Sequence, residues 1–295
     1  MADQMQAIKR RMKSVSSTER ITNAMKLVSA AKLKQATNRF DYIRKHLEEE
    51  KRLYGQVLRT EEGVPEVYLE PRDGETLYIL LTSSKGLCGS YNTSITKAAG
   101  QIAEEEKGSC CFAALGTKGK EFCIREGLEM LETEREQMDE MGYEEAYRLS
   151  GEVLELYREG RFTSIRVLYA SYLNSISHEV KAAPVFPLEA GGQAGGQAGD
   201  CDLTLMEYEP AGRELFDSLA QEYLALYLYS AIAEATLCEH SARRIAMKNA
   251  SDSANEMLTE LSIYYNRARQ AAITSEIIEI IAGSEAQKLR GEAIE

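Results

Sequence analysis

Between Gly212 and Gly291 the chain has no proline and a single glycine, Gly283. Apolar residues in this stretch recur at helical spacing. Leu258, Leu261, Tyr265, Ala268 and Ala272 step by three and four, the pattern of a coiled-coil seam. Leu215, Leu219, Leu226 and Tyr229 mark a similar face upstream. At 1.5 Å per residue, a single helix of this length measures about 120 Å. No ordinary domain core buries a rod of that length, so the rest of the chain is read for what covers it.

Residues 3–58 supply a second long helix. They contain no proline, and their only glycine is Gly55. Met5, Ile8, Met12 and Val15, then Ile21, Met25 and Val28, form its apolar stripe. Ser17 and Thr18 sit where the stripe weakens, which predicts a local irregularity there. Gly63, Pro65 and Pro71 end the pattern.

The texture between the helices is that of an α/β domain. Short apolar runs at 76–82 and 110–115 predict buried strands, and 163–170 a third. A further strand over about 172–182 ends before Pro184 and Pro187 and follows its neighbour after a short turn, as an antiparallel edge does. Helices are predicted over 93–106, up to Glu126, and over 143–159. This alternation gives a Rossmann-like domain with a largely parallel sheet. The Gly-Gln-Ala repeat at 190–199 reads as a flexible loop, and 203–208 as a strand. The resulting fold class is α/β. The N- and C-terminal helices (residues 1–60 and 212–295) form a long antiparallel two-helix coiled coil, and the α/β domain (61–211) is inserted between them.

Unequal helix lengths have a consequence. Paired antiparallel from the domain outward, residue 1 lies level with about residue 267, and roughly 20–25 residues of the second helix extend further. Ile273, Ile277, Ile278, Ile280 and Ile281 crowd that extension. It is too apolar around its circumference for a lone helix in water. It dimerises or it enters another protein.

The formal charge is −12, which gives no reason to expect nucleic acid. Charge is uneven. Residues 1–58 hold thirteen Lys/Arg against six Asp/Glu, whereas 212–295 hold eight against thirteen. A basic helix and an acidic helix suit each other, or an outside partner. Cys88, Cys110, Cys111, Cys123, Cys201 and Cys238 form no CxxC pair, so free thiols in a reducing compartment are expected. No apolar run reaches the ~20 residues that span a bilayer. The basic amphipathic start is read as mature structure rather than a targeting peptide.

Motifs for chemistry are weak. Ser83–Asn92 lies between a strand and a helix, where phosphate loops sit, but has no GxGxxG. Gly116-Thr117-Lys118-Gly119-Lys120 resembles a P-loop superficially. Ala114 and Glu121 stand where the Walker pattern requires glycine and Ser/Thr. His46, His178 and His240 are scattered and read as surface or packing residues. These residues support neither a metal site nor a nucleophile–base pair.

Three blocks carry a family resemblance. The first is Ile8-Lys9-Arg10-Arg11-Met12-Lys13-Ser14-Val15 followed by Arg20 to Lys32 (RITNAMKLVSAAK). The second is Gly86-Leu87-Cys88-Gly89-Ser90-Tyr91-Asn92. The third is Ala242 to Ala250 (ARRIAMKNA) with Tyr265 to Glu276 (YNRARQAAITSE). Together they resemble the gamma subunits of F-type ATP synthases, in order along the whole chain. The resemblance implies a non-catalytic central-stalk rotor subunit. Its coiled coil stands in a hexamer of alpha and beta subunits, and its globular part rests with epsilon on the membrane ring of c subunits. It couples proton flow through that ring to ATP synthesis or hydrolysis at the beta sites. No cofactor is expected on this chain, since Mg-ATP and ADP belong to alpha and beta. The implied location is peripheral, at the cytoplasmic face of the bacterial plasma membrane. Carried over by position, Met25, Lys26, Arg243, Arg269, Gln270, Thr274 and Glu276 would contact the alpha/beta hexamer. Gly89-Ser90-Tyr91 departs from the family, which more often has two glycines and an apolar residue there. Lys288–Glu295 runs past the usual family end, and the 190–199 loop looks like a local insertion. A self-associating coiled-coil scaffold and a metabolite-binding enzyme are the competing readings.

Overall fold

The computed structural model describes residues 2–60, 65–132, 138–188 and 213–292, with side chains undescribed at 2–4, 56, 58–60, 139 and 285–292. The 190–199 loop, Cys201, the strand expected over 203–208 and the last three residues of the tail lie outside the described residues. Helix α1 (Ala2–Thr60) and helix α5 (Arg213–Glu292) flank β1 (Thr76–Leu81), α2 (Tyr91–Glu105), β2 (Cys110–Leu115), α3 (Thr117–Glu126), α4 (Tyr143–Arg158), β3 (Ser164–Tyr172) and β4 (His178–Phe186). Two compact units divide the chain. One comprises residues up to Val28 together with those from Ala246 onward; the other is Ser29–Ile245.

In the larger unit the sheet order is β2-β1-β3-β4. β1 pairs in parallel with β2 and β3, and β4 pairs antiparallel with β3 at the edge. The apolar runs at 76–81 and 110–115 are buried on both faces, as a parallel sheet covered twice requires. Tyr78, Leu80, Phe112, Ala114 and Leu168 face α2 and α3 through Tyr91, Ile95, Ala99 and Cys123. On the other face, Leu77, Ile79, Ala113, Ile165 and Val167 pack on α4 through Leu149, Val153 and Tyr157. Phe216, Tyr223 and Leu228 of α5 join the same cluster with Leu47, Tyr54 and Val57 of α1. Within this unit the two long helices run antiparallel. Arg39 lies over the Tyr229 ring, Lys51 over Tyr227, and Tyr54 stacks on Tyr223.

β4 does not follow the sequence expectation. The segment after Tyr172 is a turn, closed by Asn174 Oδ1 accepting from the N–H groups of Ile176 and Ser177 at 2.9 Å each. The strand then runs through Pro184, opposite Arg166, where the register shifts. Proline is admissible there because an edge strand has one side without ladder bonds.

The smaller unit shows the seam. Along α5, Ser251, Ala254, Leu258, Leu261, Tyr265, Ala268, Ala272 and Ser275 are covered or half-covered, in steps of three and four, with Ser262 half-covered beside them. From Glu276 to Ser284 every side chain is exposed. Cover thus ends a little past the residue-267 level expected from length, at Ala272 and Ser275. Along α1 the covered line runs through Met5, Ile8, Met12, Val15, Glu19, Thr22 and Lys26, with Thr22 buried and the rest half-covered; Ser16, Asn23 and Met25 beside it are half-covered too. Two expectations are corrected here. The helix is unbroken at Ser17 and Thr18; Thr18 Oγ1 donates to Ser14 O at 3.2 Å, so its hydroxyl is accommodated within the helix. Ile21 and Val28 are exposed, at 58% each. The 3.5-residue period set by Met5 to Val15 carries the seam through polar Glu19 and Thr22 instead. Ser251 Oγ donates to Glu19 Oε1 at 3.3 Å across the helix pair.

Candidate functional site: helix faces and the 83–92 turn

The residues expected to meet a partner fall into three environments. Arg269, Gln270, Thr274 and Glu276 are exposed on α5, all off the seam positions Ala268, Ala272 and Ser275. Gln270 and Thr274, four apart, share a face, and Thr274 Oγ1 donates to Gln270 O at 2.9 Å. Thr274 Oγ keeps its lone pairs for an outside donor. Arg269 and Glu276, seven apart, present one cation and one anion on a neighbouring line. Met25 and Lys26 on α1 are half-buried.

Arg243 is different: it is only 8% exposed. Its Nη2 donates to Glu239 Oε1 at 2.6 Å, one helical turn back on α5. The same guanidinium donates to Lys85 O at 3.1 Å and to Gly86 O at 3.3 Å, and its Nη1 lies 3.4 Å from His240 Nδ1. The planar fork therefore closes one end of the 83–92 turn while its charge is matched by a buried carboxylate.

That turn is built from its own polar residues. The Ser83 N–H donates to Asn92 Oδ1 at 3.0 Å, and Asn92 Nδ2 donates to Ser83 Oγ at 2.7 Å. Ser83 Oγ donates to Lys85 O at 2.6 Å. Leu87 and Gly89 take left-handed backbone, φ 64° and 60°. Leu87 is a costly residue for that conformation, and its side chain is 62% exposed. Tyr91 anchors the far end: it is buried, its hydroxyl donates to Ala235 O at 3.2 Å, and burial pushes its pKa well up. Lys85, Gly86 and Leu87 are thus held outward on a braced loop.

The P-loop-like stretch is engaged internally. Lys118 N–H donates to Ser83 O at 3.2 Å and Gly119 N–H to Thr82 Oγ1 at 2.8 Å, while Lys118 Nζ pairs with Glu121 at 2.7 Å. A Cβ on Gly116, whose φ is 103°, would sit 2.1 Å from Thr82 O. The glycine there serves strand–helix packing, and the N–H groups a phosphate would need are donated within the protein.

Several exposed apolar residues of the smaller unit were not singled out as partner contacts: Ile21, Leu27 and Val28 on α1, and Met257, Ile263 and Tyr264 on α5. Their signal is heptad phase. Ile21 and Val28 are seven apart and one residue off a seam position, so strict extension of the Met5–Val15 period places them outside. Among the described residues no helix is long and apolar enough to cross a membrane.

The chain was compared with known proteins. A family profile described as ATP synthase matches residues 4–287. The ATP synthase gamma chain of Alkaliphilus metalliredigens is 34% identical over 96% of this chain and 99% of its own length. That of Lachnoclostridium phytofermentans is 35% identical, over 96% and 98%. In fold, a chain of the Euglena gracilis mitochondrial ATP synthase (OSCP/F1/c-ring) matches with a TM-score of 0.66 at 16% identity, covering 97% of this chain and 95% of that one. With the sheet order, the paired terminal helices and the braced turn already described, these matches show that the chain belongs to the ATP synthase gamma-chain family.

Proposed function

We propose that this chain is the central-stalk rotor of a proton-translocating ATP synthase and is not itself catalytic. The observation that carries this reading is the run of exposed isoleucines, Ile277, Ile278, Ile280 and Ile281, on an α5 segment whose seam cover has ended. Such a surface is stable only inside a sleeve, and a hexamer of alpha and beta subunits supplies one. Mg-ATP and ADP then bind to alpha and beta, in keeping with the internal engagement of the Lys118 and Gly119 N–H groups. Epsilon and the c-subunit ring are the partners of the globular part, which holds the chain at the cytoplasmic face of the plasma membrane.

Within this reading the site residues divide by environment. Arg269, Gln270, Thr274 and Glu276 face the hexamer directly, while half-buried Lys26 lies on the α1 seam and Met25 beside it. Arg243 acts on the partner through the turn it braces, with Lys85 and Leu87 as the groups presented. Coupling requires contacts that differ between states of the hexamer, and solvent-exposed polar groups suit this because they are made and broken at small net cost. The experiment is reconstitution with alpha and beta. The pure chain should hydrolyse no ATP, and it should co-purify as one copy with three alpha and three beta. Rapid turnover by the pure chain, or absence of the complex, would refute the proposal.

A further inference from the structure

A second cleft, away from the residues above, lies in the larger unit between α1, α5 and the β3–β4 hairpin. Its volume is about 450 Å³, within the range of small-ligand sites. Arg44 and Lys51 of α1 and Lys181 of β4 line it. Each lysine lies over an aromatic face: Lys51 Nζ is 5.2 Å from the Tyr227 ring centre, and Lys181 Nζ 5.1 Å from that of Tyr169. Tyr169 and Lys181 are cross-strand partners, so the sheet register fixes that pair.

Among the described residues the one carboxylate lining the cleft, Glu234, is already engaged. It accepts from Ser171 Oγ at 2.7 Å and from the Tyr172 N–H at 2.8 Å. Glu48 attracts Lys51 from the rim, where it also pairs with Arg44 at 3.7 Å, both side chains mostly in solvent. Three cations therefore line a cleft whose described walls hold one committed carboxylate, with one exposed carboxylate at the rim. Burial, then the charge of Lys181, hold the Lys51 ammonium below its ordinary range. Two like charges thus share a partly buried space, and an added anion would offset their repulsion. Ammonium groups are point-charge donors suited to phosphate oxygens, and the guanidinium adds a fork at the cleft mouth.

We propose that the Arg44–Lys51–Lys181 cleft binds a phosphate group, either free inorganic phosphate or the terminal phosphoryl of a nucleoside diphosphate. The site is independent of the rotor reading, because all its residues belong to this chain. The test is calorimetric titration of the full-length chain at fixed ionic strength with inorganic phosphate and, separately, with ADP. Saturable binding of one phosphate per chain is expected, weakened about tenfold or more, or 1.4 kcal/mol, in Lys51→Met and in Lys181→Met. Lys51→Arg, which keeps the charge, should retain it, and circular dichroism should show all variants folded. ADP binding no tighter than phosphate identifies the free ion as ligand; tighter binding lost in the same variants identifies the phosphoryl group of the nucleotide. Lysine-resolved NMR should show the Lys51 pKa rise on adding phosphate. A flat titration of the wild type, binding that survives both Met substitutions, or an unmoved Lys51 would overturn the proposal.

Discussion

Arg243 shows how much a single residue's role depends on what it touches. Its Nη2 donates to a carboxylate four residues back, and Nε and Nη2 donate to carbonyls on a turn far away in sequence. A family motif containing Arg243 is legible in the sequence, but this partnership is not, because nothing local pairs residue 243 with Lys85 and Gly86. Arg243→Ala removes the cation that matches the buried Glu239 carboxylate and frees the turn. A loss of roughly 3–5 kcal/mol in urea unfolding is expected, and Glu239→Gln together with Arg243→Met should recover much of it. If Arg243→Ala unfolds like the wild type, the bracing role is wrong. The thiols were legible as free but not as inert. Burial pushes Cys111 and Cys123 up to about 11 and Cys238 to about 12, while Tyr68 and Tyr227 rise to about 12. These groups are raised relative to an unfolded chain, so the fold favours their neutral forms. Their contribution is fully present below pH ~8.5, where unfolded cysteines begin to ionise, and is lost as pH rises toward 11–12. The melting temperature should therefore fall steadily above pH ~9, and iodoacetamide at pH 8 should leave Cys111, Cys123 and Cys238 unlabelled until denaturant is added. A flat melting profile to pH 11 would contradict this.

At the level of elements, the long helices and the parallel strands were readable because their periods are strong. Leu258 to Ala272 were placed on the seam by spacing alone, and the structure puts them there. Ile21 and Val28 were misplaced because hydrophobicity was followed where phase should have been: the seam turns polar at Glu19 and Thr22. A polar layer in a coiled coil weakens packing but fixes register, since only one alignment joins Ser251 to Glu19. β4 was misjudged because Pro184 reads as a terminator, and edge position is a property of the whole sheet. Two substitutions separate the roles of the α5 faces. Leu261→Ala, on the covered seam, should cost about 2 kcal/mol of helix-pair stability. Ile277→Ala should change the stability of the isolated chain by less than about 0.5 kcal/mol, while weakening assembly with alpha and beta. Hydrogen exchange in the free chain and pull-down of the complex read the two effects; equal effects of both substitutions on both measurements would show that the faces do not differ.

For the molecule as a whole, family and fold class could be reached from the residues, whereas the basic cleft could not, since Lys51 and Lys181 meet only after the sheet and helices have formed. The acidic balance hides this local positive field, as net charge reports on solubility rather than on sites. At the scale of the free chain, the uncovered isoleucines should drive self-association. Sedimentation of the pure protein should show concentration-dependent oligomers, and replacing Ile277, Ile278, Ile280 and Ile281 by serine should return it to monomer; oligomers unchanged by those replacements would place the contact elsewhere. The same bare segment also bears on supply inside a cell. A subunit whose hydrophobic surface disappears only on meeting its neighbours is a client of chaperones and proteases for as long as it waits. Copies made in excess of alpha and beta would be short-lived, so one exposed helical face makes the lifetime of this chain a gauge of stoichiometry.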